Sequence, residues 1–559
     1  MILQLAVQGK LTQKWREENP DVEPAYSLLK KIRIKKEKLI LKSKIKKEKP
    51  LPAIEENEIS FELPKSWAWT RLNDVCEYIQ RGKSPNYTDI SKIPVISQKC
   101  VQWTGFDISK VKFISEESFE KYSEERILQV GDLLWNSTGD GTLGRVITYP
   151  GSDFDKVVAD SHVTVVRGLK DFIIPDYLWV YSASPFIQNL VAGRVSGSTK
   201  QTELSTRTIR LIEFSFPPLE EQKAIVAVVN QLFAEVEQLE VLTKERIQMK
   251  ADFVTAVLNQ LTQAAEQDVA SRWAFIQEQF GTFFTEKSTI KKLRESILQL
   301  AVQGKLTQQW RIAGRLSGVE VESASKLLEK IKAEKVELIK AGKIKKEKPL
   351  PEITKEEILY KLPYGWVWCR LEDLTSITGG VTKGKLHQKN LINTIYLRVA
   401  NVQRGYLELD VMKDILVSKS DYDKYQLHQN DLLMIEGGDP DKVGRCAIWS
   451  NEIPGCIYQN HVFRMRPYLN STMNNHFFML FINSRVTRDY YESCAKRTTN
   501  LASINKTQMR STPIGFPPLE EQKAIVQKVN GLMALCDQLE QEIENHQTTQ
   551  EQWMQSCLR

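Results

Sequence analysis

The chain of 559 residues repeats itself with a period of about 300 residues, and this repeat constrains the fold more than any other feature. ILQLAVQGKLTQKWR at residues 2–16 returns as ILQLAVQGKLTQQWR at 297–311, with fourteen identities in fifteen positions. FPPLEEQKAIV at 216–226 returns unchanged at 516–526. A chain of this length has room for three to four domains. The repeat therefore predicts two related domains between shared segments.

The two copies diverge between these shared segments. LPKSWAWTRLNDV at 63–75 corresponds to LPYGWVWCRLEDL at 362–374, and SHVTVVR at 161–167 corresponds to NHVFRMR at 460–466. Short β-rich runs such as IPVIS, DLLW and RVITY alternate with glycine-rich and aspartate-rich turns and a few helical stretches. We therefore expect an α+β chain divided into an N-terminal helical segment, domain 1, a central helical region, domain 2 and a C-terminal helix, with boundaries at 1–50, 51–216, 217–350, 351–515 and 516–559.

A long helix is predicted after each domain. Apolar residues follow a spacing of three and four from Leu219 onward, and the same register returns after Leu519. If continuous, the helix over 219–263 has 45 residues and a length of about 68 Å. Each apolar stripe needs a partner, and the other copy is the leading candidate; burial in two separate cores is the alternative. The predicted partner-binding positions are Leu219, Ile225, Val229, Leu232, Leu519, Ile525, Val529 and Leu532.

The chain ends resemble the internal joint between the copies. KKLRES precedes ILQLAVQGKL inside the chain, whereas the chain ends in SCLR and begins with MILQLAVQGKL. We infer a circular, pseudo-twofold repeat in which the C-terminal helix and the N-terminal segment together form the second copy of the central connector. This symmetry is incomplete because the C-terminal copy is shorter.

Residues 30–49 contain eleven basic residues, with Glu37 and Glu48 between them. The segment repeats in a more acidic form at 326–348. A solvated helical connector is the first interpretation, and direct contact with phosphates is the second.

Overall composition excludes several classes of protein. The formal net charge of +7 permits a polyanionic partner without requiring one. Eight scattered cysteines without a CxxC motif, together with six histidines, argue against a zinc site or a disulfide framework, and we expect no bound metal. The sequence contains no apolar run of the length that a membrane helix needs and no signal-peptide pattern, so we expect a cytoplasmic protein.

Nucleotide-binding motifs are nearly present, and the repeat tests each of them. Residues 139–144 satisfy GxGxxG, but the second copy reads GGDPDKVG and a strand rather than a helix follows, which favours a glycine-rich turn. A P-loop requires GxxxxGK[ST], and each copy lacks one required residue: Leu386 replaces the hydroxyl residue in one, and Glu77 replaces the first glycine in the other.

Methyltransferase and nuclease motifs are also missing. Enzymes that methylate adenine typically have a [DNS]-P-P-[FYW] tetrapeptide, whereas the Pro-Pro pairs of this chain lie in FPPL. They are typical of helix starts, with Glu220 and Glu221 at the positive end of the helix dipole. No nuclease carboxylate cluster stands out. The sequence therefore predicts a non-catalytic chain.

Polar and basic side chains near the turns of both domains are of the types that contact base edges and phosphates in duplex DNA. The alternative for each is an exposed polar residue or one that stabilises a local turn. His162 and His461 precede equivalent strands, and a structural hydrogen bond is favoured over base contact for both. The candidate DNA-binding residues are Arg81, Lys83, Gln98, Lys99, Gln102, Asn136, Arg145, Ser198, Thr199, Lys200 and Gln201 in domain 1, and Lys383, Lys385, Arg398, Asn401, Gln403, Arg404, Arg445 and Arg497 in domain 2.

These features together resemble the specificity subunit of type I restriction-modification systems, the HsdS family. The resemblance is carried by the duplicated FPPLEEQKAIV and LQLAVQGKLT segments, the lysine-rich runs ending in KPLP and the two LP-x-x-W domain openings, and it spans the whole chain. It implies that domains 1 and 2 are target recognition domains, each reading one half of a bipartite DNA site. It also implies that the long helices pair antiparallel as a spacer.

The resemblance further implies two methyltransferase subunits docked on the helices, with translocase-nuclease subunits added for cleavage. S-adenosylmethionine, ATP and magnesium would then be bound by those partners and not by this chain. Two alternatives stay open: a self-contained DNA methyltransferase or nuclease, and a coiled-coil adaptor without a DNA role.

Overall fold

The computed structural model divides into two compact units, unit 1 (Met1–Lys244) and unit 2 (Glu245–Arg559). No helix within the described part of the chain is both long enough and apolar enough to cross a membrane. The structure describes the whole chain apart from residues 48, 90–92, 140, 195–202, 317–320, 359, 383–390, 500 and 559, and apart from the side chains of 440, 557 and 558.

Unit 1 contains the N-terminal segment, domain 1 and the first part of the long helix α9. Its helices are α1 (Ile2–Val7), α2 (Gln13–Glu18), α3 (Ala25–Leu41), α4 (Leu72–Val75), α5 (Glu116–Phe119), α6 (Pro175–Ser182), α7 (Pro185–Arg194), α8 (Thr206–Arg210) and α9 (Leu219–Gln263), which ends in unit 2. Its strands are β1 (Ala68–Arg71), β2 (Cys76–Arg81), β3 (Ile93–Ile96), β4 (Val101–Gln102), β5 (Gly105–Phe106), β6 (Lys112–Ile114), β7 (Leu133–Asn136), β8 (Val146–Thr148), β9 (Val158–Ala159), β10 (Val163–Gly168) and β11 (Glu213–Phe216).

Unit 2 repeats this order after a helical connection. Its helices are α10 (Val269–Glu278), α11 (Phe280–Phe283), α12 (Lys287–Val302), α13 (Gln308–Leu316), α14 (Ala324–Lys340), α15 (Leu371–Leu374), α16 (Lys419–Tyr425), α17 (Asn475–Asn483), α18 (Arg485–Cys494), α19 (Lys506–Arg510) and α20 (Leu519–Leu558). Its strands are β12 (Val367–Arg370), β13 (Thr375–Gly379), β14 (Leu391–Leu397), β15 (Lys413–Ser418), β16 (Asp431–Ile435), β17 (Gly437–Gly438), β18 (Cys446–Trp449), β19 (Ile457–Tyr458), β20 (Val462–Pro467), β21 (Lys496–Arg497), β22 (Ala502–Ser503) and β23 (Pro513–Phe516).

The two domains share one sheet topology. Domain 1 has a four-stranded sheet in the order β2-β10-β7-β8, and domain 2 has the matching order β13-β20-β16-β18. A second sheet, β6-β3-β9 in domain 1 and β15-β14-β19 in domain 2, contains one parallel pair in each case. The first and last strands of each domain also pair, β1 with β11 and β12 with β23. The predicted α+β architecture of two related strand-rich domains with long helices is confirmed.

The core of unit 1 joins its N-terminal helices to domain 1. Helix α1 buries Ala6 and Val7, and helix α3 buries Leu28 and Ile32. These side chains belong to the same cluster of buried residues as Trp67 of domain 1. Four basic side chains of α3, those of Lys30, Lys31, Arg33 and Lys35, are exposed, whereas Lys36 is partly buried and donates to the Asn73 and Cys76 carbonyls. The predicted solvated helix is therefore present only in the first part of the segment, because α3 ends at Leu41. Contact of the segment with phosphate stays a prediction.

In unit 2, helix α12 packs antiparallel against α20. Arg294 of α12 forms ion pairs with Asp537 and Glu540 at 2.7 and 2.8 Å. Lys287, about two turns earlier in the same helix, forms an ion pair with Glu544 at 2.7 Å. The end of α9 lies in the same core, with Leu258 buried. The sequence predicts α9 as the partner of α20, whereas α12 provides most of the contact within unit 2. The predicted length of α9 is confirmed, because the helix covers Leu219–Gln263 and has 45 residues.

A buried carboxylate explains why FPPLEEQKAIV recurs. Glu221 is fully buried and accepts hydrogen bonds from Thr12 Oγ1 at 2.8 Å and Trp67 Nε1 at 2.7 Å, and it also pairs with Arg16. This carboxylate therefore ties the N-terminal segment, domain 1 and the start of α9 together. The sequence places both Glu220 and Glu221 at the positive end of the helix dipole; in the structure Glu220 is exposed, whereas Glu221 also accepts the hydrogen bonds of this network.

Unit 2 repeats the network with Glu521. The Glu521 carboxylate accepts hydrogen bonds from Thr307 Oγ1 at 2.7 Å and Trp366 Nε1 at 2.9 Å, and it forms an ion pair with Arg311. A buried carboxylate is tolerated only when it is paired and hydrogen-bonded. The shared sequence segments therefore supply one such network in each unit. We call the networks around Glu221 and Glu521 the clamps.

Candidate nucleic-acid interface

An arginine and a glutamine contact each other in domain 1. Gln102 ends β4, and Arg145 lies just before β8. Arg145 Nη1 donates to Gln102 Oε1, and Arg145 Nη2 donates to the Gly141 carbonyl at 2.8 Å. Gln102 Nε2 donates to the Lys99 carbonyl at 2.8 Å. Both side chains are partly exposed, so the pair presents an amide and a guanidinium in a fixed orientation.

Domain 2 contains the same pair. Arg445 Nη1 donates to Gln403 Oε1 at 2.5 Å, and Gln403 Nε2 donates to the Ala400 carbonyl at 3.0 Å. Arg445 additionally pairs with Asp441 at 2.6 Å. All four residues of the two pairs are among the predicted DNA-binding residues, and the structure brings them together at equivalent positions. We call them the Gln–Arg pairs.

The two asparagines predicted to bind DNA are buried and donate hydrogen bonds to backbone carbonyls of their own domains. Asn136 is fully buried, and its Nδ2 donates to the Gln98 carbonyl at 3.0 Å. Asn401 is 2% exposed, and its Nδ2 donates to the Glu408 carbonyl at 2.8 Å. Neither side chain reaches the surface, because each satisfies backbone carbonyls inside its domain. The expectation that Asn136 and Asn401 contact DNA is therefore not supported by their placement.

Most other candidates make local contacts in domain 1. Arg81 pairs with Glu203 at 2.5 Å and donates to the Leu204 carbonyl at 3.0 Å. Lys83 donates to the Lys121 carbonyl, and Gln98 Oε1 accepts from Thr142 at 3.3 Å. Lys99 is exposed. Ser198, Thr199, Lys200 and Gln201, like Lys383 and Lys385 of domain 2, lie outside the described residues.

The remaining domain 2 candidates are arginines. Arg398 Nη2 donates to the Val411 carbonyl at 2.9 Å, and exposed Arg497 donates to the Glu492 carbonyl at 3.3 Å. Arg404 Nη2 donates to the Asp441 carbonyl at 2.8 Å. Burial, together with repulsion from Arg488, lowers the pKa of Arg404 to about 10. Sequence reasoning missed Arg488; the signal was the SRVTR run at 484–488, which corresponds to the uncharged SPFIQ of the first copy.

Both histidines that precede a strand make a side-chain hydrogen bond. His162 Nδ1 lies 2.5 Å from Thr138 Oγ1, and His461 Nδ1 lies 2.7 Å from Glu436 Oε2. Both rings are also exposed. The favoured structural interpretation agrees with these contacts, while base contact by the histidines stays untested.

Several glycines of the GxGxxG and P-loop-like segments occupy positions where the backbone geometry requires glycine. The described residues of the GxGxxG run, all but Asp140, lie between the antiparallel strands β7 and β8 and have positive φ at Gly139, Gly141 and Gly144, which agrees with the predicted glycine-rich turn. In the described part of the two P-loop-like segments, one glycine of each lies against the backbone of a neighbouring strand or its end. A Cβ at Gly82 would lie 2.0 Å from the Ala159 carbonyl oxygen, and one at Gly380 would lie 2.1 Å from that of Tyr458.

The predicted partner-binding positions of the long helices lie inside their own units. Ile225, Val229, Ile525 and Val529 are fully buried, and Leu219, Leu232, Leu519 and Leu532 are partly buried. Apart from Leu232, for which no packing against the described core of unit 1 is seen, these side chains pack inside their own units and do not form a free docking face.

The exposed apolar side chains of α9 come later in the helix. Phe233, Val236 and Leu239 are 37%, 44% and 62% exposed. They correspond to Met533, Cys536 and Leu539 of α20, where Cys536 is fully buried in the core that α12 and α20 share. We call Phe233, Val236 and Leu239 the α9 stripe.

Comparison with known proteins agrees with this duplicated arrangement. The model of the type I restriction modification DNA specificity domain matches residues 64–248 and 363–546. The chain is 31% identical over 561 residues to the EcoAI specificity subunit of a type I restriction enzyme of Escherichia coli, covering 98% of this chain and 91% of that protein. It is 28% identical over 555 residues to the EcoEI specificity subunit of Escherichia coli, with the same two coverages of 98% and 91%.

Among solved structures, the HsdS subunit from Thermoanaerobacter tengcongensis aligns with a TM-score of 0.42 and 17% identity, covering 88% of this chain and 94% of that one. The family model matches both copies of the repeat and more than half of the chain. The EcoAI relative is similar over nearly the full length of both proteins. The chain belongs to the family of specificity subunits of type I restriction-modification systems.

Proposed function

We propose that domains 1 and 2 each bind one segment of double-stranded DNA and that together they read a bipartite site. The observation that carries this proposal is the Gln–Arg pair, which occurs at equivalent positions in both domains. Arginine binds the O6 and N7 edge of guanine, and glutamine binds the edge of adenine, in the major groove. Fixing the two side chains against each other reduces the conformational entropy lost on binding.

The helices would set the distance between the two DNA segments and dock two methyltransferase subunits. The α9 stripe supports this role, because it is an exposed apolar face at positions that are covered on α20. S-adenosylmethionine, ATP and magnesium would be bound by the methyltransferase and by translocase-nuclease subunits. We infer that the protein acts in the cytoplasm, because the proposed substrate is the DNA of the host.

Exchange of one domain tests whether each domain reads its own half of the DNA site. Domain 1 of this chain would be replaced by the corresponding domain of a relative, and the chain would be expressed with its methyltransferase. Sequencing of methylated bases across the host genome should show a change in one half of the site only. A change in both halves would contradict independent reading by the two domains.

Shortening α9 tests the spacing role. Deleting seven residues within 230–250 removes about 10 Å of helix, which corresponds to roughly three base pairs at 3.4 Å each. The unmethylated spacer between the half-sites should shorten while both half-sites stay the same. An unchanged spacer would show that α9 does not set the distance.

A further inference from the structure

Domain 2 contains an arginine-lined cavity beside its Gln–Arg pair. The cavity has a volume of about 210 Å³. Arg445 of the Gln–Arg pair and Arg404 of the cavity wall share Asp441: Arg445 pairs with its carboxylate at 2.6 Å, and Arg404 donates to its carbonyl at 2.8 Å. The lining of the cavity includes Arg404, Asp441, Arg485, Arg488, Glu492 and Arg497.

Two arginines of this cavity have donor groups that the described part of the protein does not satisfy. Arg404 Nη1 and Arg488 Nε are buried atoms without a hydrogen-bond partner. Arg488 uses another nitrogen to pair with Glu295 at 3.0 Å. A buried N–H group without an acceptor costs about 1 to 3 kcal/mol, and more when the group is charged. Both arginines line the cavity, so an acceptor held there would satisfy these donors once the guanidinium groups rotate towards it.

The charge balance points to an anionic acceptor. Arg485 is compensated by Asp489 at 2.6 Å, and Arg488 by Glu295, but Arg404 reaches the Asp441 carboxylate only at 3.9 Å. The pKa of Arg404 falls to about 10 because the guanidinium is buried and because Arg488 and Arg445 repel it. The carboxylates nearby therefore leave positive potential around Arg404.

The scaffold does not require this cluster, because domain 1 is built without it. VQWT at 101–104 corresponds to VQRG at 402–405, so Trp103 takes the place of Arg404. Pro185 and Gln188 take the places of Arg485 and Arg488. Gln188 Nε2 donates to the Gly144 carbonyl at 3.0 Å and to the Ser182 carbonyl at 2.7 Å. The arginines are therefore additions specific to domain 2.

We propose that the arginine-lined cavity binds one backbone phosphate of the DNA that domain 2 reads. The guanidinium fork matches phosphate oxygens in two-point hydrogen bonds, and phosphate contacts fix the register of a protein on the duplex. The inference rests on the proposed function, since it places this phosphate next to the bases that Gln403 and Arg445 contact. Domain 1 lacks this contact and relies on other groups to fix its register.

Salt dependence of DNA binding measures the contact directly. The chain in complex with its methyltransferase subunits would be titrated with duplex DNA at several salt concentrations, as wild type and as the double variant Arg404→Gln, Arg488→Gln. Loss of one phosphate contact should lower the slope of log K against log salt by about 0.9 and weaken binding roughly fivefold at 0.15 M salt. The effect should be equal on cognate and unrelated duplexes, and the methylated sequence should not change.

Two further variants control this measurement. Arg272→Gln removes a positive charge from exposed helix α10 of the same unit and should leave the slope unchanged. Arg404→Lys keeps the charge but loses the fork, so it should retain part of the slope and remain folded if the double variant does not. An unchanged slope in both Arg404 variants would overturn the proposal, as would an altered methylated sequence.

Two other results would also overturn it. Unaffected DNA binding with weakened assembly of the methyltransferase complex would assign the cavity to a protein partner. Stabilisation by inorganic phosphate in wild type alone, with an unchanged DNA slope, would assign it to a free anion. Failure of the proposed function itself is distinguishable, because it would abolish the preference of wild type for its site while the slope on unrelated duplex still tests the cavity.

Discussion

Domains 1 and 2 have the same framework and different charged surfaces. The strand order, the Gln–Arg pair and the buried Asp132–Arg167 pair of domain 1 all recur in domain 2, where the last is Asp431–Arg466. The arginine-lined cavity occurs in domain 2, at positions where domain 1 has tryptophan, proline and glutamine. Buried pairs that hold the framework tolerate little change, whereas surface side chains can vary without a loss of folding.

The largest expected effect concerns the clamps, which should respond alike in both units. Glu521→Ala and Glu221→Ala each remove a buried carboxylate that accepts from an arginine and a buried tryptophan, and each should destabilise the corresponding unit by about 3 to 5 kcal/mol. Glu521→Ala should cost more, because the Arg311 side chain is 8% exposed and that of Arg16 is 20% exposed. Hydrogen exchange measured for each unit separately checks this.

The neighbouring exposed glutamates provide the control for the clamp variants. Among the described residues, Glu220 and Glu520 form ion pairs with lysines one turn away on their own helices, so alanine at either position should change stability by less than about 0.5 kcal/mol. Equal losses at the buried and the exposed glutamates would contradict the clamp.

The second prediction concerns backbone contact. Gly82→Ala and Gly380→Ala would place a Cβ within 2.0 and 2.1 Å of a carbonyl oxygen, so each domain should lose roughly 2 kcal/mol or more. Gly193→Ala, in helix α7 where nothing lies within 4 Å, should instead be neutral or slightly stabilising. Urea unfolding measures all three, and tolerance of Gly380→Ala alone would show that the two sheets differ.

The third prediction separates the domains by sequence preference. Gln102→Ala should relax one position in one half of the DNA site, and Gln403→Ala one position in the other half, each at a cost of about 1 to 3 kcal/mol in binding. Competition among duplexes that differ at single positions checks this. Uniform weakening on every duplex would instead indicate that the glutamines position the arginines or contact phosphates.

The smallest expected effect is a change in how the stability of unit 1 depends on pH. Hydrogen bonds from Arg71 lower the pKa of Glu58 from 4.5 to about 2, and Arg370 lowers the pKa of Glu357 in the same direction. A lowered folded-state pKa contributes stability above pH 4.5, which is lost as the pH falls towards 2. Glu58→Gln should therefore reduce the acid sensitivity of unit 1 without affecting unit 2. Urea midpoints at pH 5 and pH 3 test this, and an unaltered difference would contradict it.

Several local features could be predicted from the sequence because they depend on short-range chemistry. Apolar spacing gave both ends of α9 correctly, and the glycine spacing indicated the turn between β7 and β8. Family membership also confirms the predicted class, a specificity subunit rather than a methyltransferase or nuclease.

Other features depend on contacts between distant segments and were not predictable from spacing. Asn136 has the chemistry of a base-reading residue, yet the carbonyls of Gln98 and Val101 surround it. Glu221 has an ordinary place at a helix start, yet its partners Thr12 and Trp67 lie 209 and 154 residues away. The sequence likewise indicated a partner stripe for α20 without showing that α12 covers it.

The pairing of β1 with β11 has a mechanical consequence. Because the first and last strands of domain 1 lie side by side, with Ala68 opposite Phe216, a pulling force applied between the N-terminal segment and α9 crosses that strand pair and the Glu221 clamp. The strands of the four-stranded sheet β2-β10-β7-β8 lie outside this strand pair. Loops can therefore lengthen or shorten within the domain without stretching or compressing the connection between its two ends.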